Sequence, residues 1–128
     1  MAAALADIAN QLVMGCREQT QIDNIDKLYA DDAMSVEAFP MSGSDSRVVE
    51  GRAGIKGKHE WWNNTMEVHG SEIDGPYLHG DDRFSVIFEI DATNKENGQR
   101  MQMKEIAVYH VSGGKIVREE FFYNMPES

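Results

Sequence analysis

The sequence predicts an α+β fold, three N-terminal helices packed on a mainly antiparallel sheet, in one domain spanning residues 1–128. Three observations predict it. Up to about residue 68, apolar residues recur at three- and four-residue spacing. From residue 70 onward the apolar period is two. The second half also carries explicit turn signals: Gly80-Asp81, Asn97-Gly98 and Ser112-Gly113-Gly114. A run of helices followed by a run of strands is the pattern of the α+β class.

Residues 3–19 read as an amphipathic helix, with Leu5, Ile8, Leu12 and Cys16 on one stripe and Ala9 and Val13 beside it. Thr20 is placed to cap a short second helix whose apolar side is Ile22, Ile25, Leu28 and Tyr29. Asp31-Asp32 breaks that pattern, and Ala33 to Glu37 reads as a short strand. Phe39 to Glu50 holds Pro40, Gly43 and several serines and reads as a loop. A third helix is expected over roughly Gly51 to Val68, with Ile55, His59, Trp62 and Met66 as its buried stripe. Ile73 to His79, Arg83 to Thr93, Arg100 to Val111 and Lys115 to Tyr123 are the strand candidates, joined as a meander.

Composition narrows the function. The chain has 128 residues, 12 basic against 22 acidic, for a net charge of −10. That disfavours nucleic acid and anionic membranes as partners, because both need basic patches. Cys16 is the single cysteine, so no intramolecular disulfide forms and a reducing, cytoplasmic setting is expected. The opening MAAALADIANQLVMGC lacks a basic start and carries Asp7, which makes it a poor signal peptide. No apolar run approaches the length of a membrane-spanning helix. Asn63-Asn64-Thr65 matches a glycosylation acceptor that is idle without secretion.

The turns set which side chains face the core. A two-residue turn at Asn97-Gly98 pairs Glu96 with Gln99, so Ile90 opposes Glu105, Phe88 opposes Ala107 and Val86 opposes Tyr109. Phe84, Val86, Phe88 and Ile90 make a plainly apolar face, and Glu105 shares it. A Gly80-Asp81 turn likewise puts Tyr77 opposite Phe84 and Ile73 opposite Phe88. The last hairpin has two registers. A two-residue Gly113-Gly114 loop turns Ile116, Arg118, Glu120 and Phe122 inward; a three-residue loop turns Val117, Glu119, Phe121 and Tyr123 inward. The second buries fewer charges and is preferred, with Glu119 opposite Ala107. A buried carboxylate needs a partner, a proton or a wet cavity. Two carboxylates near each other raise one pKa, which suits proton shuttling on a carbonyl compound with a tyrosine hydroxyl nearby. The competing reading pairs Glu105 with Arg100, Lys104, Arg118, a histidine or a tryptophan N–H, with no role in chemistry.

Other candidates carry less. His59, His69, His79 and His110 are too scattered for a metal motif, so no metal is expected. His59 and His69 are placed to reach a cavity from the third helix, or to sit satisfied in the core. Trp62 and Met66 share its stripe as core or pocket lining, while Trp61 points elsewhere. Ile106, Val108 and His110 make the opposite face of their strand, partly apolar and open to a partner. Cys16 reads as a small buried residue, and GRAGIKG lacks the spacing of a nucleotide-binding loop.

The stretches LYADDAMSVE and VYHVSGGKIVREEFFY, with a glycine-led helix between them, resemble the SnoaL-like branch of the nuclear transport factor 2-like superfamily. The resemblance spans Leu5 to Tyr123 and implies a cone-shaped α+β barrel with a curved sheet, a ligand cavity and homodimers through the outer sheet face. That superfamily includes polyketide cyclases, ketosteroid isomerases, epoxide hydrolases and dehydratases. The acid/base aspartate of the cyclases and the protonated aspartate of the isomerases both fall on Ala107 here. The isomerases' tyrosine donor aligns with Val13 or its neighbour, and their base with Glu37 or Ala38.

The expectation is a pocket protein for a small hydrophobic ligand, cofactor-free, with Glu37 or Glu105 as base and Tyr109 or Tyr123 as hydrogen-bond donor. Glu119 would stand beside Glu105, and Trp62, Met66, His59, His69, Phe88 and Tyr123 would line the ligand site. The alternative is a binding or dimerisation module of the same fold without chemistry.

Overall fold

Helix α1 (Ala2–Glu18) forms because its apolar side chains fall on one stripe: Leu5, Ile8, Ala9, Leu12 and Val13 are all buried. The computed structural model describes residues 2–40 and 45–124. Helix α2 (Gln21–Leu28) buries Ile25 and Leu28. Its Thr20 cap makes no side-chain hydrogen bond, so the expected hydroxyl cap is absent there. Instead the Asn24 amide reaches back to the Gln11 carbonyl at 3.1 Å, tying α2 to α1. Gly15 permits that approach: a Cβ at this position would lie 1.9 Å from Asn24 Nδ2.

Six strands follow and interleave with one more helix: β1 (Tyr29–Val36), β2 (Val48–Glu50), α3 (Gly51–Thr65), β3 (Met66–His79), β4 (Arg83–Asn94), β5 (Arg100–Ser112) and β6 (Lys115–Phe122). They form one sheet in the order β2-β1-β6-β5-β4-β3. Only the β1–β6 pairing is parallel. The two edge strands do not pair, so the sheet stays open. Helix α1 packs on β3 and β4, and α3 packs on β1. The core between them holds Phe84, Val86, Ala107, Tyr109 and Ile116 from the sheet.

Several expectations need correction. The first strand starts at Tyr29, not Ala33, because Tyr29 and Ala33 both bury while Asp31 and Asp32 stay exposed on the edge of the strand. The expected loop 39–50 ends in strand β2; its residues 41–44 lie outside the described residues. Helix α3 stops at Thr65, and Met66 and His69 belong to β3 rather than to a helical stripe. Pairing with β4 from Met66↔Asn94 onward outweighs the helical spacing.

The β4–β5 register is displaced by two residues from the expected one: Phe88 opposes Glu105, Val86 opposes Ala107 and Phe84 opposes Tyr109. The turn is longer than Asn97-Gly98 alone, with the Asn94 N–H bonding the Gln99 carbonyl. A shift of two leaves every side chain on its predicted face, so Glu105 still points inward. On β3, Ile73 opposes Phe88 as expected, but an irregularity between Asp74 and Tyr77 breaks the alternation. Tyr77 therefore opposes Ser85 and is exposed, not Phe84.

The last hairpin combines both anticipated registers. Ser112 pairs with Lys115 across a two-residue turn, with Gly113 and Gly114 at φ 59° and 78°. Two successive positive φ angles are what such a turn requires, and only glycine adopts them without strain. Ile116 is thereby buried opposite Val111. A bulge then adds one residue between the Val111↔Ile116 and His110↔Arg118 pairs and reverses the parity. Glu119 turns inward opposite Tyr109, not opposite Ala107, and Phe121 takes the place beside Ala107.

Candidate functional site

The parallel pairing of β1 with β6 sets Ser35 beside Glu119, both fully buried. Glu119 survives burial because each carboxylate oxygen has a hydroxyl donor. Tyr29 donates to Oε1, and Ser35 donates to Oε2 at 2.7 Å. From there the polar chain continues outward. Lys58 on α3 donates from Nζ to Ser35 Oγ at 2.7 Å and pairs with Glu37 Oε1, also at 2.7 Å. Tyr123 donates to the other Glu37 oxygen at 3.1 Å, and its ring packs against Phe39, centroids 5.9 Å apart. Exposure rises along this line, from Glu119 at 1% to Phe39 at 40%.

Glu105 differs from both neighbours. It makes no hydrogen bond or ion pair to any described residue, although it faces inward beside Ala107. Desolvation, then the Glu37 and Glu119 charges, push its pKa from 4.5 up to about 7, with Lys58 pulling the other way. A carboxyl group with that proton affinity exchanges protons readily at neutral pH. Tyr109 lies two positions further along the same face of β5. It is 3% exposed, stacked on Phe84 at 4.8 Å, and its hydroxyl also makes no hydrogen bond to a described residue. Burial, Glu119, Cys16 and Glu105 hold its pKa well above the ordinary tyrosine value, so it stays a proton donor. Ala107 stands between Glu105 and Tyr109 on that face, with Phe121 beside it on β6.

His59 is half-buried on α3; desolvation lowers its pKa, opposed mainly by Glu119. Burial and then Glu119 push the Cys16 thiol up to about 12, so it is no nucleophile at neutral pH. Phe88 stands directly opposite Glu105 and packs against the core. Trp62 is half-buried on α3, and Met66 is buried at the start of β3. His69 is corrected outright: it is exposed on β3 and hydrogen-bonded to Thr93, not directed inward from a helix.

Three members of the cluster were not singled out from the sequence: Tyr29, Ser35 and Lys58. Ser35 had a signal, since Ala33, Ser35 and Glu37 alternate on one face. Lys58 follows Ile55 by three residues and so borders the buried stripe of α3. Tyr29 had none, because helical spacing assigned it to α2. Two surface grooves, of about 610 and 470 Å³, run along β3, β4 and β5 and share Glu72, Glu89 and Lys104; no residue of this cluster lines either. No group of three or more metal-ligating side chains occurs among the described residues. No helix among them is long and apolar enough to cross a membrane.

Three helices on an open, curved, mostly antiparallel six-stranded sheet, with ionisable groups on its inner face, define a nuclear transport factor 2-like α+β cone. Within that class the chain belongs to the SnoaL-like domain family, whose model matches residues 4–123. It is similar to a Mesorhizobium loti protein provisionally named a SnoaL-like polyketide cyclase: 36% identity, TM-score 0.83, covering 93% of this chain and 98% of that one. A Burkholderia pseudomallei nuclear transport factor 2-like protein of unknown function shares the fold at 13% identity, TM-score 0.73, covering 97% and 92%. So does a Bacillus subtilis protein provisionally named an isomerase, at 18% identity, TM-score 0.66, covering 95% and 84%. No curated protein matches the chain.

Proposed function

We propose that the protein performs cofactor-free acid/base chemistry, of the isomerase, cyclase or dehydratase type, on a small apolar carbonyl compound. Glu105 is the group that moves the proton. Its carboxyl, turned inward on β5 with no hydrogen-bond or ion-pair partner among the described residues, is the observation that carries this reading, and desolvation there raises its proton affinity. Glu37 is the weaker candidate, because Lys58 and Tyr123 already occupy both of its oxygens. Glu119 is engaged twice and sealed from solvent, so its role is to hold the wall and to raise the proton affinity of Glu105. Tyr109 supplies a free hydroxyl for the substrate oxygen. Phe39 and Tyr123 frame the more exposed end, from which the ligand enters.

The test is proton exchange on simple ketones followed by NMR. Wild-type protein is expected to accelerate exchange, and Glu105→Gln to abolish it. Exchange that is absent, or unchanged in the variant, sinks the catalytic reading. The second reading, a ligand-binding module without turnover, is favoured by Ala107 standing where the related cyclases and isomerases carry their acid. A compound retained equally by both proteins without conversion would support it.

We also propose a homodimer through the outer sheet face. Ile106 and Phe122 pair across β5 and β6 and are 44% and 48% exposed, a costly apolar pair to leave in water. Sedimentation should give twice the 14.4 kDa chain mass, and Ile106→Lys should return it to the monomer. A wild-type monomer at high concentration would dispose of the idea.

A further inference from the structure

Lys58 was not anticipated as a site residue, and its surroundings are unusual for a salt-bridging lysine. Its side chain is 11% exposed. An ammonium has three N–H donors. One meets Glu37 Oε1 and one meets Ser35 Oγ, both at 2.7 Å. The third has no oxygen acceptor among the described residues; the nitrogen lies 5.1 Å from the centroid of the Phe121 ring. Phe121 pairs with Ala107, between Glu105 and Tyr109 on β5. Lys58 is also the one cation among the charges that act on Glu105. The doubly anchored, largely buried ammonium thus stands over the Phe121 ring, beside the β5–β6 pair that carries Glu105 and Tyr109.

We propose that Lys58 is a catalytic residue of this site, donating its third N–H to the substrate oxygen that gains charge when Glu105 removes a proton. The proposal rests on the reading of Glu105 as the proton-moving group. In the step, a Glu105 oxygen takes the proton from the carbon beside the carbonyl. The C–H electron pair becomes the carbon–carbon π bond, and the carbonyl π pair moves onto oxygen. That oxygen then carries the charge and accepts a hydrogen bond from Lys58, until Glu105 returns the proton to carbon. The total charge of site and ligand is the same before and after. What changes is that the negative charge passes from Glu105 to an oxygen beside a fixed cation. Ser35 and Glu37 keep the ammonium from swinging out to water, so no reorganisation is needed as the charge moves.

para-Nitrophenol tests this without requiring turnover, since its absorbance distinguishes the bound phenol from the bound phenolate. Below the pH at which the free probe ionises, the wild-type protein is expected to bind it as phenolate. Lys58→Met should bind only the neutral form and slow ketone proton exchange by roughly a hundredfold, as loss of an oxyanion donor does. Because that variant strands Glu37 and Ser35, the charge-balanced double variant Lys58→Met/Glu37→Gln is measured beside it and is expected to behave alike. Glu105→Gln should still ionise the probe while losing exchange. A wild-type protein that fails to bind the probe as phenolate overturns the proposal, as does a double variant that ionises it undiminished. Exchange that depends on Glu105 with ionisation indifferent to Lys58 leaves the base standing and removes Lys58. Ionisation that depends on Lys58 with no exchange in wild type removes the base, and with it the catalytic role of Lys58, and leaves only an anion-binding ammonium.

Discussion

The Glu105→Gln variant is expected to be more stable than the wild type by about 3 kcal/mol near pH ~8, and by only a few tenths of a kcal/mol near pH ~4.5. The carboxyl ionises at 4.5 in the unfolded chain and at about 7 in the folded one, chiefly through desolvation and secondarily through Glu37. Between those values the folded protein holds a proton that the unfolded chain has released. Stability therefore falls as pH rises through this window, and the full deficit is present above it. A shift of this size converts at about 1.4 kcal/mol per unit. Glutamine is neutral throughout and fills nearly the same volume, so the variant escapes the decline. Urea unfolding at the two pH values reads the difference. Equal stability gaps at both would mean that Glu105 ionises normally, and the acid/base proposal would lose its physical basis.

Glu119→Ala is expected to cost about 3–5 kcal/mol, a large share of the roughly 5–15 kcal/mol that hold a domain together. The loss has three sources. The Tyr29 hydroxyl loses its acceptor in a fully buried position. The Ser35 hydroxyl loses its acceptor too and keeps only Lys58 as a donor to it. A void opens opposite Tyr109. Glu119→Gln keeps the shape and one acceptor oxygen but turns an amide N–H₂ toward the second hydroxyl, so a cost of about 1–2 kcal/mol is expected. The order wild type, Glu119→Gln, Glu119→Ala in urea midpoint tests this. An alanine variant within about 1 kcal/mol of wild type would show that the buried network contributes little.

Glu119 also shows how far sequence reasoning carries. Its inward orientation follows from counting charges on the two faces of β6, because a face that buries one carboxylate costs less than a face that buries two charged residues. The route to that orientation was hidden. A three-residue loop predicts the same orientation, but the chain reaches it by a tight glycine turn followed by a bulge, and a bulge leaves no periodic trace in one strand. Glu105 was robust for a different reason. The β4–β5 pairing slipped by two residues from the expected register, and a slip of two preserves the face. His69 failed because the helical spacing from Ile55 to Met66 runs on past the true helix end, where pairing with β4 takes over.

By itself the sequence determined which residues are apolar, where the strands reverse and, through alternation, which carboxylates face inward. Those are local properties, set by neighbours a few positions away. The tertiary structure alone decided that β1 lies parallel to β6, and that α3 lies across β1. Those two packings bring Ser35, Glu37 and Lys58 to Glu119 across 84, 82 and 61 positions of chain. Whether a buried carboxylate is matched by a hydroxyl, paired with an ammonium or left with a raised proton affinity depends on such distant neighbours. That is why Glu119, Glu37 and Glu105, alike in the sequence, end in three different chemical states.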